Sequence, residues 1–92
     1  MSFEEEKFRL ILENEYKWPC HYLFKFIVPS DSLEDVQKIF HGHQTKVKES
    51  KKGNYVSVTC RILIDETDQV LDFYKEVSKI KGCISLWNIN LL

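Results

Sequence analysis

The stretch that decides the fold is Tyr55-Val56-Ser57-Val58-Thr59-Cys60-Arg61-Ile62-Leu63-Ile64, followed by Asp65-Glu66-Thr67-Asp68-Gln69-Val70-Leu71-Asp72-Phe73-Tyr74-Lys75-Glu76-Val77-Ser78-Lys79-Ile80. Val56, Val58, Cys60, Ile62 and Ile64 alternate with Tyr55, Ser57, Thr59 and Arg61, the two-residue period of a strand with one face buried. From Glu66 the period changes. Val70, Phe73, Tyr74, Val77 and Ile80 recur at helical spacing, and Gly82 stops the helix.

Upstream, Lys51-Lys52-Gly53-Asn54 supplies a turn in which Gly53 is free to take a positive φ. Gln44 to Ser50 fits an edge strand guarded by Lys46 and Lys48. Before it, Leu33, Val36, Ile39 and Phe40 form a helical stripe that stops at Gly42, with Ser30-Asp31-Ser32 as candidate caps. Ahead of Pro29, Tyr22, Phe24, Phe26 and Val28 alternate with His21, Leu23, Lys25 and Ile27, an aromatic-rich strand suited to a sheet centre. Pro19 pushes Trp18 into an extended conformation. Residues 3 to 14 read as a short helix, with Phe8, Ile11 and Leu12 on one stripe and Glu4, Glu5 and Glu6 at its positive end. Cys83 to Ile89 reads as a last strand.

The order is a helix followed by β-α-β-β-α-β. Two right-handed split βαβ units give an α+β, ferredoxin-like sandwich, a four-stranded antiparallel sheet with two helices on one face. Strands one and three are expected at the centre and strands two and four at the edges. One domain spans residues 1–92, with 1–16 as an N-terminal helical extension and 17–92 as the core. Leu23, Ile27 and Tyr55 then point away from the two helices, and either the N-terminal helix or a second subunit covers them.

At 92 residues, 43% hydrophobic and 29% charged, the chain has the composition of one globular domain. Its formal charge of −1 lacks the basic excess of nucleic-acid binders, which argues against nucleic acid as the partner. No apolar run approaches the roughly 18 residues of a membrane span, and the first residues are acidic where a signal peptide is basic, so a cytoplasmic protein without a membrane partner is expected. Cys20, Cys60 and Cys83 show no C-x-x-C spacing, which suggests neither a disulfide framework nor a zinc knuckle, and Cys60 and Cys83, inside apolar stretches, read as core thiols.

Chemistry-bearing patterns can be tested one at a time. The loop Val28-Pro29-Ser30-Asp31-Ser32 has neither the arginine of an acylphosphatase nor the cysteines of a copper chaperone. Lys52-Gly53 opens like the strand-three motif of RNA-recognition domains, but the aromatic positions that follow fall on Asn54, Val56 and Thr59. His41 and His43 sit at a helix end without a third ligand at committed spacing, so no metal site is expected. There is no nucleophile elbow, and Asp65, Glu66, Asp68, Asp72 and Glu76 read as a solvated helix face. Neither catalytic residues nor a cofactor is expected. Lys46, Lys48, Lys51 and Lys52 form the one local charge asymmetry, either protection of an edge strand or a site for an acidic partner.

Trp18-Pro19, the aromatic strand Tyr22 to Phe26 with Lys25, and above all Ser50-Lys51-Lys52-Gly53-Asn54-Tyr55-Val56-Ser57-Val58 carry a resemblance. Over residues 17 to 87 the chain resembles the small uncharacterised YbeD-like bacterial proteins. The resemblance implies an ACT-like regulatory fold and a role in sensing a small molecule or modulating a partner enzyme. The loop after strand one lacks the glycine by which ACT domains commonly approach an amino-acid ligand. The expectation is a non-enzymatic module that binds a protein partner or small ligand near Lys52, Gly53, Asn54 and Tyr55, with an RNA-binding domain as the rival. Cys83-Ile84-Ser85-Leu86-Trp87, an apolar edge without lysines, adds an expectation of self-association as a homodimer.

Overall fold

Regular alternation builds the sheet. In the computed structural model, which describes residues 5–85, β1 (Cys20–Pro29) and β3 (Tyr55–Ile64) pair antiparallel from Cys20↔Ile64 to Pro29↔Tyr55. A shorter strand, β2 (Thr45–Glu49), adds to the outer side of β3 from Thr45↔Cys60 to Glu49↔Val56. These three strands form the body of the antiparallel sheet. Two further residues, β4 (Ile84–Ser85), pair with Ile27 and Phe26 on the other side of β1, giving the order β2-β3-β1-β4. The remainder of the last strand expected up to Ile89 lies outside the described residues.

Three helices complete the α+β architecture: α1 (Glu5–Glu15), α2 (Leu33–Ile39) and α3 (Thr67–Ser78). Every second residue of β1 and β3 is buried against them, from Tyr22 to Val28 and from Val56 to Ile64. Phe24 lies at the centre, its ring 5.0 Å from Phe73, 5.5 Å from Phe40 and 5.6 Å from Tyr74. The tilted and edge-on geometries of this cluster suit the ring quadrupoles and add to the apolar area removed from water.

The N-terminal helix joins this same core. Phe8 and Leu12 are buried, and the Phe8 ring meets Tyr74 edge-on at 5.0 Å. Arg9 binds Asp68 on α3, and Lys75 Nζ reaches Glu5 Oε1 at 2.9 Å. Two carboxylates read from the sequence as solvated are therefore engaged, Asp68 with α1 and Glu76 with Lys79 at 2.7 Å. Of the two ways to cover the second sheet face, the described residues exclude α1. It lies beside α3, and Leu23 and Tyr55 on the other face stay about half exposed, at 49% and 46%.

Local signals fix the ends of the elements. Gln69 Oε1 accepts the backbone N–H groups of Asp65 and Glu66 at 2.5 and 3.1 Å, satisfying donors ahead of α3. Ser30-Asp31-Ser32 forms a short 3₁₀ turn instead of side-chain caps, and Ser32 makes no capping bond to α2. The Ser30 hydroxyl is committed elsewhere, to the β2–β3 hairpin.

Candidate functional site

Parity along the strands defines the site. Residues 21, 23, 25 and 27 of β1 and 55, 57, 59, 61 and 63 of β3 share the sheet face opposite the helices. Register adds Lys46 and Lys48 of β2, which oppose Thr59 and Ser57, and Ile84 of β4, which opposes Ile27. Reading across the rows, Ile84, Ile27, Ser57 and Lys48 lie side by side, then Lys25, Thr59 and Lys46, then Leu23 and Arg61, then His21 and Leu63.

The face mixes apolar and cationic side chains, with Lys25 among the aliphatic residues of β1, Arg61 between Tyr55 and Leu63 on β3, and two lysines on β2. Leu23, Leu63, Tyr55 and Ile84 are all exposed large hydrophobic residues. Lys25, Lys46, Lys48 and Arg61 are exposed, and none of the strand residues on this face is acidic. Arg9, Lys75 and Lys79 form ion pairs, whereas among the described residues these four cations and Lys51 and Lys52 at the hairpin tip have no carboxylate partner. The helices carry an acidic excess, with Glu5, Glu6, Glu13 and Glu15 on α1, Glu34 and Asp35 on α2, and Asp68, Asp72 and Glu76 on α3, against Lys7, Arg9, Lys38 and Lys75. In a chain of net charge −1 the acids thus gather on the helices, while the charged strand residues of the open face are all basic.

The hairpin stands at one end of this face and is held in three ways. Gly53 takes φ +74°, the left-handed conformation its place in the turn requires, and its N–H donates to Ser50 O at 3.0 Å. The Ser50 N–H donates to Tyr55 O at 2.9 Å, and the Tyr55 N–H reaches Ser50 Oγ at 3.3 Å. From the loop after β1, the Ser30 N–H donates to Asn54 O at 2.9 Å and Ser30 Oγ to Gly53 O at 2.5 Å. Between hairpin and sheet lies a shallow depression of about 240 Å³, lined by Ile27, Lys48, Glu49, Ser50, Tyr55, Val56 and Ser57.

The four residues singled out from the sequence divide accordingly. The peptide carbonyls of Gly53 and Asn54 serve the tether to Ser30, which assigns them a structural role. Lys52 is exposed at the tip, and of the four residues only Tyr55 lines the depression. Sequence reasoning did not single out Lys25, Arg61, Leu63 and Ile84. The signal for the first three was available, since they share parity with Leu23 and Tyr55. Ile84 needed the β1–β4 register.

Elsewhere, His41 and His43 are exposed beyond α2, with the His43 ring 6.4 Å from Phe73. Among the described residues no three His, Cys, Asp or Glu side chains are grouped to hold a metal ion. Burial pushes the Cys83 thiol up to about 11 and also raises Cys60, so neither is a ready thiolate near neutral pH. No described helix is long and apolar enough to cross a membrane.

The described residues form an α+β fold whose antiparallel sheet leaves one face exposed and bearing cations. The chain belongs to the DUF493 family of proteins of unknown function, whose family model matches residues 13–85, nearly the stretch that carries the YbeD-like resemblance. It is 32% identical over 87 residues to a UPF0250 protein of Haemophilus influenzae (strain PittEE), covering 79% of this chain and 95% of the relative. It is 34% identical to UPF0250 proteins of Idiomarina loihiensis, covering 70% of this chain and 81% of the relative, and of Vibrio parahaemolyticus, covering 75% and 83%. No solved structure matches the chain.

Proposed function

We propose that this protein is a non-enzymatic, cytoplasmic interaction module of ferredoxin-like, ACT-like plan, which binds a protein partner or a small ligand through its open sheet face. The observation that carries the reading is the exposure of Leu23, Tyr55, Leu63 and Ile84 on one side of the sheet while α1, α2 and α3 share the other. The strand order β2-β3-β1-β4 supports the ferredoxin-like plan, in which strands one and three are central. A broad, solvated face of aliphatic and cationic side chains suits recognition better than chemistry, since catalytic electrostatics gain their strength where water is excluded.

Tyr55 and the cations of the face support the rival reading, RNA binding, which requires affinity to fall steeply as salt is raised. Self-association by pairing at β4 completes the reading of the edges.

The test compares proteins captured from lysate of the source organism by the wild type and by a Leu23→Ser/Tyr55→Ala variant, with and without RNase. Both side chains are about half exposed, so the variant keeps the fold, which its thermal midpoint verifies. Loss of the captured set only in the variant, unaffected by RNase, is expected. Equal capture by both proteins would remove the face from the account, and loss of every partner on RNase treatment would establish the rival.

A further inference from the structure

Resting on that reading, we infer that the occupant of the open sheet face is an acidic amphipathic helix of a partner protein. Charge complementarity is the first argument. Lys25, Lys46, Lys48 and Arg61 project from a face whose strand residues include no acid, and none of the four has a carboxylate partner among the described residues. A partner that brings carboxylates neutralises them, and one that brings cations meets like charges.

The distribution of apolar residues narrows the chemistry further. Leu23 and Ile27 on β1 lie about 13 Å apart on this face with Lys25 between them, and Ile84 stands beside Ile27, while Arg61, Lys46 and Lys48 lie on the strands to one side. Two turns of helix span about 11 Å, so apolar residues at i and i+7 match Leu23 and Ile27, and a carboxylate at i+3 or i+4 falls beside Lys25. Carboxylates on the flank of the same helix then reach the lysines. A helix is the natural layer for a sheet face with exposed apolar residues, whereas an extended peptide would use an edge strand instead.

Other occupants fit less well. Two copies joined face to face would bring Lys25, Lys46, Lys48 and Arg61 of each copy towards the same cluster of the other, the like-charge arrangement that specific interfaces avoid. Single-stranded RNA uses aromatic platforms for its bases, and the apolar residues here are aliphatic apart from Tyr55.

The experiment selects binders of the full-length protein from an unbiased display library of peptides of about 16 residues, long enough for roughly four helical turns. Binding of the selected peptides is then mapped on backbone amide resonances. The inference expects peptides enriched in Asp and Glu with Leu-like residues at helical spacing, which shift the amides of Leu23, Lys25, Thr59 and Arg61. It expects a Lys25→Glu/Arg61→Glu variant, folded by the same spectra, to bind them roughly tenfold more weakly, and Lys-for-Glu versions of the peptides to recover affinity for that variant. Neutral or basic peptides on this face would overturn the acidic assignment and leave the face as an interaction surface. Selected peptides that all map to the helix side would overturn both readings. Mixed-sequence single-stranded RNA binding this face more tightly than any selected peptide, or a dimer in sedimentation that buries it, would replace the helix as occupant.

Discussion

The Ser30 hydroxyl donates to the carbonyl oxygen of Gly53 at 2.5 Å, fastening the loop after β1 to the tip of the β2–β3 hairpin across 23 residues of sequence. The bond holds the hairpin at the end of the open sheet face, where Tyr55 and Ser50 line the depression. Ser30→Ala is expected to lower stability by about 0.5–1 kcal/mol in denaturant unfolding and to speed amide exchange within residues 50–55. The Ser30 backbone bond to Asn54 persists in that variant and limits the loss.

Gly82 provides a second constraint at the same end of the sheet. Its φ is +82°, and an added Cβ would lie 3.0 Å from Cγ of Pro29. Gly82→Ala is expected to destabilise by about 1–2 kcal/mol from the backbone conformation alone and to weaken the pairing of Ile84 with Ile27. Thermal unfolding and protection of the Ile27 and Ile84 amides provide the check.

Tyr22 and Tyr74 share a buried hydroxyl–hydroxyl hydrogen bond of 3.0 Å, one ring on β1 and the other on α3. Tyr22→Phe leaves the Tyr74 hydroxyl without this partner inside the core and is expected to cost about 1–3 kcal/mol.

Burial pushes the Tyr22 phenol up to about 12 and raises Tyr74 as well, so the folded state favours the neutral forms. Because the folded values lie above the unfolded value of about 10, this stability is fully present below pH ~10. It is lost as pH rises from there towards about 12. Thermal midpoints across that range are expected to fall, with tyrosinate absorbance of the buried pair appearing together with unfolding.

The α1–α3 junction separates apolar from ionic contributions. Phe8→Ala is expected to cost about 3–5 kcal/mol, since the ring is fully buried in the shared core. Asp68→Asn removes the Arg9 ion pair at an exposed site, and its smaller effect should vanish in high salt. Unfolding at low and high ionic strength distinguishes the two.

Much of this organisation was legible in the residues. The alternation from Tyr55 to Ile64 and the helical spacing from Val70 to Val77 reappear as β3 and α3, because each pattern has one buried face and a turn signal at its ends. The placement of α1 was not legible. A stripe of Phe8, Ile11 and Leu12 fits either side of a sheet, and only the pairs Arg9–Asp68 and Glu5–Lys75 with the Phe8–Tyr74 contact select the helix side. The site was legible in part. Lys51 to Asn54 stood out as a turn, but its tie to Ser30 is a long-range contact with no local signature. The cationic face depends on Lys25, Lys46, Lys48 and Arg61 meeting across three strands, which register decides.

The most direct measurement places a photoreactive side chain at Leu23, in the middle of the open sheet face, and in a second protein at Leu10, which is 67% exposed on α1. Irradiation in lysate of the source organism and mass spectrometry of the products read out which surface meets a partner. A protein adduct formed from position 23 and not from position 10 is the predicted result. Adducts from position 10 with none from position 23 would contradict the assignment of the open face as the interaction surface.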